Sequence, residues 1–320
     1  MKKFQILTVF FIILMLLGLI ACDCGYFLMQ EDKNEDFKDN LSFSNLSNDI
    51  PEDVDTKSSD DQDTNISQKD NNFADVDEIQ DNKTPQKYAI IASGASYDRQ
   101  HYTWFLNSTN MAYKLLRNYN YSDSNIYYLF ESDKEPYVDY EATTDNFTKV
   151  TEELNNKANE LDTLLLFLIG HGTYLGINSY YTLNDYNLSD HEMADMFKNI
   201  KREKLIFVFS PCNSGGFIDD LSGTNTIVIT STRYNESNRA AFIEPFLASF
   251  DGIGDANLNG KVSFAEAFNY ASNNVIEQYN NNIWGNVTEH AQLDDNGDKA
   301  SHEAPVPNGG DGQIAENTYL

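Results

Sequence analysis

Two short stretches carry residues able to do covalent chemistry. KLIFVFSPCNSGGF, residues 204–217, puts Cys212 on a glycine-rich turn just past an apolar run. LLLFLIGHGT, residues 164–173, puts His171 between Gly170 and Gly172, also just past an apolar run. Cysteine attacks as the thiolate, and a nearby imidazole both lowers its pKa and later protonates a leaving amine. Glycines beside both residues let a substrate backbone come close and leave N–H groups to stabilise an oxyanion. Taken singly, a buried cysteine is usually a small hydrophobe, and a histidine between glycines is often a plain loop residue. Together, at successive strand ends and 41 residues apart, they point to a nucleophile and its base. The chain has three cysteines and the other two are Cys22 and Cys24, which excludes a disulfide or a multi-cysteine metal site in this region.

The elements that must position this pair read as alternating strands and helices. Apolar runs predict strands over 87–93, 125–130, 162–170, 204–210 and 226–232. Helical spacing predicts helices over 103–118, over 145–161 with Asp145 or Asn146 as cap, near 240–250 and over 263–280. A further helix over 189–200 opens with Ser189 and Glu192, a capping-box pattern. Strands apolar on both faces and separated by helices make a mostly parallel sheet covered on both sides, an α/β three-layer αβα sandwich. In such a sheet the ligand crevice lies beyond the carboxyl ends of the strands, where both motifs fall.

The rest of the chain bounds location and partners. Lys2 and Lys3 precede an apolar run from Phe4 to Ala21, ending in LIAC. This reads as a bacterial lipoprotein signal over 1–22, with Cys22 acylated as the mature N-terminus; an uncleaved anchor or an ordinary cleaved signal are the alternatives. Each of these sends the remainder out of the cytoplasm, as a membrane-anchored, extracytoplasmic protein. Residues 23–85 read as a disordered acidic tether: positions 31–84 hold 17 Asp or Glu against 5 Lys and show no apolar periodicity. Residues 86–290 form the folded domain, and 291–320 a tail that is flexible over 304–320. A net charge of −28 argues against nucleic acid as a partner.

The order strand–His171–Gly172, then strand–Cys212-x-Ser214-Gly215, resembles the caspase-type clan of cysteine peptidases, and within it the legumain family. The resemblance runs from about Tyr88 to Ala271 and includes MAYKLLRNYNYSDSNIYYLF and the pocket-like segment TSTRYNES. It implies a caspase-like fold and an endopeptidase acting on peptide or protein substrates, in a family some of whose members transfer acyl groups to amines. It also implies Cys212 as nucleophile, His171 as general base and acid, and the N–H groups of Gly172 and Cys212 as the oxyanion hole. Ser231 and Thr232 fall on the family's pocket strand, and Arg239 follows as a candidate that would favour an acidic substrate residue. Two family features are missing. Trp104 stands where Asn-cutting members carry Arg, with Arg99 nearby, and the family's third catalytic Asn falls near Tyr102. Transpeptidation through the same acyl-enzyme and a silent, calcium-dependent surface binding protein are the alternatives to hydrolysis.

DANLNGKVSFAE, residues 255–266, fits a twelve-residue calcium loop. Asp255, Asn257 and Asn259 stand at positions 1, 3 and 5, with Gly260 at the sharp turn. Lys261 offers its carbonyl at 7, Ser263 stands at 9 and Glu266 supplies the bidentate carboxylate at 12. The expected cofactor is structural Ca²⁺, with none for catalysis. In LDDNGDKASHE a weaker second candidate places Asp294, Asn296 and Asp298 at 1, 3 and 5. There Lys299 stands in place of the glycine and Pro305 at position 12.

Overall fold

The computed structural model describes residues 84–239, 241–281, 286 and 289–320. The signal segment, Cys22 and the acidic tether lie outside the described residues, and among those described no helix is long and apolar enough to cross a membrane.

The continuous apolar runs become strands. In chain order the elements begin with β1 (Lys87–Ala92), α1 (Arg99–Asn118), β2 (Ile126–Phe130), β3 (Tyr140–Glu141), α2 (Thr144–Lys157) and β4 (Thr163–Leu168). A small hairpin region follows: β5 (Gly172–Leu175), β6 (Asn178–Thr182) and β7 (Asn187–Ser189). Then come α3 (Asp190–Phe197), β8 (Lys204–Phe209), α4 (Ile218–Leu221), β9 (Thr226–Thr230) and α5 (Ile243–Ala248). The described chain closes with α6 (Phe264–Asn281), β10 (Gln292–Asp294) and α7 (Gln313–Glu316). The main sheet runs β10-β9-β8-β4-β1-β2-β3, parallel throughout except for β10.

Successive strand residues point to opposite faces, so an all-apolar strand feeds two cores. One core collects Ala89, Ile91, Leu165, Phe167, Ile206 and Val208 under α1, α5 and α6. The other collects Ile90, Leu164, Leu166, Phe207, Phe209 and Val228 under α2, α3 and α4. Leu164 through Leu168 are completely buried. The result is a three-layer αβα sandwich with a mostly parallel sheet.

Local chemistry shifts several boundaries. α1 starts at Arg99 rather than 103, because the Asp98 carboxylate caps it through the N–H groups of Gln100 and His101. Thr143, not Asp145 or Asn146, caps α2 through the Asn146 N–H. α3 opens with the expected capping box, Ser189 and Glu192 bonding reciprocally. The tail expected to be flexible is packed against the domain instead. Phe264 donates to the Thr318 carbonyl at 3.0 Å, and Val306, Ala315 and Leu320 are buried in the larger core. β10, assigned to that tail, is the antiparallel edge of the main sheet.

Candidate active site

Three neighbouring strands, β8, β4 and β1, deliver the site. β4 and β8 pair in register up to Leu168 and Phe209, and β1 pairs with β4 up to Ala92 and Leu168. His171 and Cys212 each stand three residues past their registered ends, so the topology brings both motifs to the same carboxyl edge of the sheet. Their loops touch. A Cβ at Gly172 would sit 2.5 Å from the Cys212 carbonyl oxygen and 2.8 Å from Pro211 Cβ, so only glycine fits where the two turns meet. Cys212 is 3% exposed and His171 8%.

The imidazole is oriented by a main-chain acceptor. His171 Nε2 lies 3.1 Å from the Ser96 carbonyl, in the loop that follows β1. A carbonyl only accepts, so this contact assigns the proton to Nε2 and leaves Nδ1 as the basic nitrogen. Ser96 is itself held by its N–H, which donates to Glu131 Oε2 at 3.0 Å. Aromatic rings fix the plane of the imidazole: Tyr97 stacks on it at 5.1 Å and Phe105 meets it edge-on at 5.0 Å. His101 approaches at 4.9 Å and is tied through Nδ1 to Asp98 at 2.5 Å. Tyr97 adopts a left-handed backbone, with φ 65°, a conformation an aromatic residue rarely takes.

The thiol is held from the other side. The Asn238 N–H donates to Cys212 Sγ at 3.3 Å, a donor placed where the thiolate carries its charge. The Asn238 amide in turn donates to the Ser210 carbonyl and to Ser231 Oγ. Asn213, directly after the cysteine, is left-handed with φ 60°, which turns the chain sharply into a short 3₁₀ segment over Ser214–Phe217. The hairpin β5–β7 braces this turn: Ser179 Oγ donates to the Asn213 carbonyl at 2.7 Å. Tyr181 Oη donates to the Ala92 and Ile169 carbonyls, fastening the hairpin to the ends of β1 and β4.

The remaining residues singled out in the sequence are placed as follows. Ser231 and Thr232 are fully buried behind the Cys212 turn; Ser231 Oγ donates to the Ser210 carbonyl and Thr232 Oγ1 accepts the Ser214 N–H. Arg239 is half-buried beside Glu289, its N–H donating to that carboxylate at 3.1 Å. Burial pushes the Glu289 carboxyl up to about 7, against three N–H donors from Arg239, Ala241 and Phe242 and the Arg239 charge. Arg99 is exposed at the start of α1, Trp104 meets His101 edge-on, and Tyr102 donates to Glu135 at 2.6 Å. Ser96, Tyr97, His101 and Asn238 were not found from the sequence. Ser96 acts through a carbonyl, which has no sequence signature; Tyr97 and Asn238 lie in loops without a motif, and His101 sits in the first turn of α1, ahead of the helical spacing that was legible.

The 255–266 loop has the folded form its spacing implies. Asp255 accepts N–H groups from Asn259 and Gly260, and Glu266 accepts from Asn257 and Ser263. Gly260 makes the left-handed turn, with φ 81°, and Val262 is buried as the anchor to the core. The donor set is hard oxygen throughout, which fits calcium.

A structural likeness to protein GSU0716 from Geobacter sulfurreducens has a TM-score of 0.45 at 13% identity, covering 59% of this chain and 89% of that one. A comparison with curated proteins finds no match. The model of the peptidase C13 family matches residues 134–307, just over half of the chain, and spans both His171 and Cys212. The chain thus belongs to the peptidase C13 family, the legumain-type peptidases.

Proposed function

We propose that this protein is an extracytoplasmic cysteine endopeptidase, with Cys212 as nucleophile and His171 as general base and acid. The observation that carries the reading is the shared offset of the two residues past the registered β4–β8 pair, with Nε2 of His171 committed to the Ser96 carbonyl. In the reaction Cys212 Sγ adds to the scissile carbonyl carbon and its proton passes to the imidazole. The N–H groups of Gly172 and Cys212 take the oxyanion. The tetrahedral adduct collapses, the C–N bond breaks and the amine leaves with the proton from His171. Water then attacks the thioester, again through His171, releasing the acid and restoring the thiol.

The left-handed Asn213 turn and the Asn238 N–H support the nucleophile role, since they fix the position of the sulfur. The lipoprotein-like N-terminus and acidic tether support a membrane-anchored location, with Cys22 as the acylated residue. Calcium in the 255–266 loop would brace the segment between the Arg239 region and α6, apart from the chemistry.

Two tests follow. A cysteine-directed alkylating probe should label the wild type fast near neutral pH and Cys212→Ala not at all. His171→Ala should slow labelling by about 100-fold, within the range for a general base; equal labelling of wild type and His171→Ala would overturn the pairing. Calcium at about 100 times its dissociation constant should stabilise the wild type by about 2.7 kcal/mol. Glu266→Gln should abolish most of that gain, and a calcium shift unchanged in the variant would remove the metal from this loop.

A further inference from the structure

Three buried carboxylates meet where β10 joins the C-terminal segment: Asp294, Asp295 and Asp311, each at most 1% exposed. A buried carboxylate is costly unless each charge-bearing oxygen finds a partner. Asp295 is fully partnered, by the N–H groups of Gly312 and Ala315 at 2.8 Å each. So is Asp311, which accepts the Asp295 N–H at 3.2 Å and faces His302 Nδ1 at 2.7 Å. Asp294 breaks the pattern. Its Oδ1 accepts the Gly297 N–H at 3.2 Å, but its buried Oδ2 has no hydrogen-bond partner among the described residues.

That oxygen belongs to the first residue of a loop that repeats the 255–266 backbone. In that earlier loop Leu258 and Gly260 are left-handed, with φ 60° and 81°. At the matching positions Gly297 and Lys299 are left-handed, with φ 80° and 69°. Lys299 therefore makes the turn for which the motif normally uses glycine. The side-chain bonds repeat as well. Asn257 accepts the Asn259 N–H and Asn259 accepts the Lys261 N–H; Asn296 accepts the Asp298 N–H and Asp298 accepts the Ala300 N–H.

We propose that Asp294, Asn296 and Asp298, with the main-chain carbonyl of Ala300, hold a second divalent cation of the calcium class, anchored on Asp294 Oδ2. Pro305 supplies no ligand at the twelfth position and His302 is committed to Asp311, so water completes the six to eight oxygens calcium takes. This site binds more weakly than the first. It links β10 to the C-terminal segment, and it stands independently of the peptidase reading.

The test is calcium titration of the detergent-solubilised full chain by calorimetry, counting sites in the wild type, Glu266→Gln, Asp298→Asn and Asp294→Asn. Asp298 is exposed, so its substitution leaves folding intact, with circular dichroism as the check. Two sites are expected in the wild type and one in Glu266→Gln. Adding Asp298→Asn or Asp294→Asn to that variant should weaken the remaining site at least tenfold. A single wild-type site lost in Glu266→Gln would overturn the proposal, as would a residual site indifferent to both aspartate variants. A single site lost in Asp298→Asn but kept in Glu266→Gln would uphold it and remove calcium from the 255–266 loop instead.

Discussion

Gly172→Ala puts the meeting of the His171 and Cys212 turns under direct test. An added Cβ would stand 2.5 Å from the Cys212 carbonyl oxygen, 2.8 Å from Pro211 Cβ and 3.1 Å from the Tyr180 carbonyl. Ordinary contacts between such atoms lie near 3.5 Å, so the cysteine turn must retreat by about 1 Å. It cannot absorb the shift locally, because Asn213 behind it is fixed by its left-handed backbone and by the Ser179 and Glu236 bonds. A misplacement of about 1 Å at a reacting group costs roughly 100-fold, or about 2.7 kcal/mol of transition-state stabilisation. Overpacking should also lower stability by about 1–3 kcal/mol. The alanine keeps its N–H, so the loss is one of position and not of a donor. The assay is kcat/KM on the best peptide from a diverse library, with Tm measured on the same preparations. Gly176→Ala is the control: its Cβ meets nothing within 4 Å, and although φ 73° there adds strain, activity should stay within about twofold. Gly172→Ala with near-wild-type kcat/KM and Tm would refute the contact between the turns.

Two further changes probe the thiol and its support. Asn238→Ala removes the amide that bonds the Ser210 carbonyl and Ser231 Oγ, so alkylation of Cys212 should slow by about tenfold and stability fall by about 1–3 kcal/mol. An unchanged alkylation rate would mean that Asn238 does not place the sulfur. Glu289 carries a carboxyl raised from 4.5 to about 7 by burial, so the folded state holds its proton where the unfolded state has lost it. Its contribution is therefore present below pH 4.5 and is lost as pH rises towards about 7, by roughly 3 kcal/mol in all. In Glu289→Gln the difference in Tm between about pH 4.5 and 7 should shrink accordingly. Parallel Tm profiles for the two proteins would remove Glu289 as the cause.

What the sequence made legible was whatever rests on composition and period. The run from Leu164 to Leu168 can only be a strand buried on both faces, and the capping box at Ser189 needs only two side chains three positions apart. Cys212 and His171, the proposed nucleophile and base, were legible because their residue types are chemically rare in this setting, and the strand order brings their turns together. The hairpin over 172–189 was missed: its polar tyrosine- and asparagine-rich strands gain their stability from Tyr181 reaching carbonyls of β1 and β4, which no local pattern shows. The tail was misjudged for a similar reason. Its proline and glycine content suggests looseness, while its order comes from long-range partners such as Asn269, which bonds both the N–H and the carbonyl of Val306. The third member of the site was invisible because it is the carbonyl of Ser96, 75 residues from the histidine it orients.

The most direct measurement is cleavage of a diverse peptide library by the full chain, with calcium and with chelator, beside Cys212→Ala. The account predicts cleavage by the wild type that disappears in Cys212→Ala and weakens in chelator as the fold loosens. Cleavage that survives in Cys212→Ala, or none by a folded, calcium-loaded wild type, would contradict it.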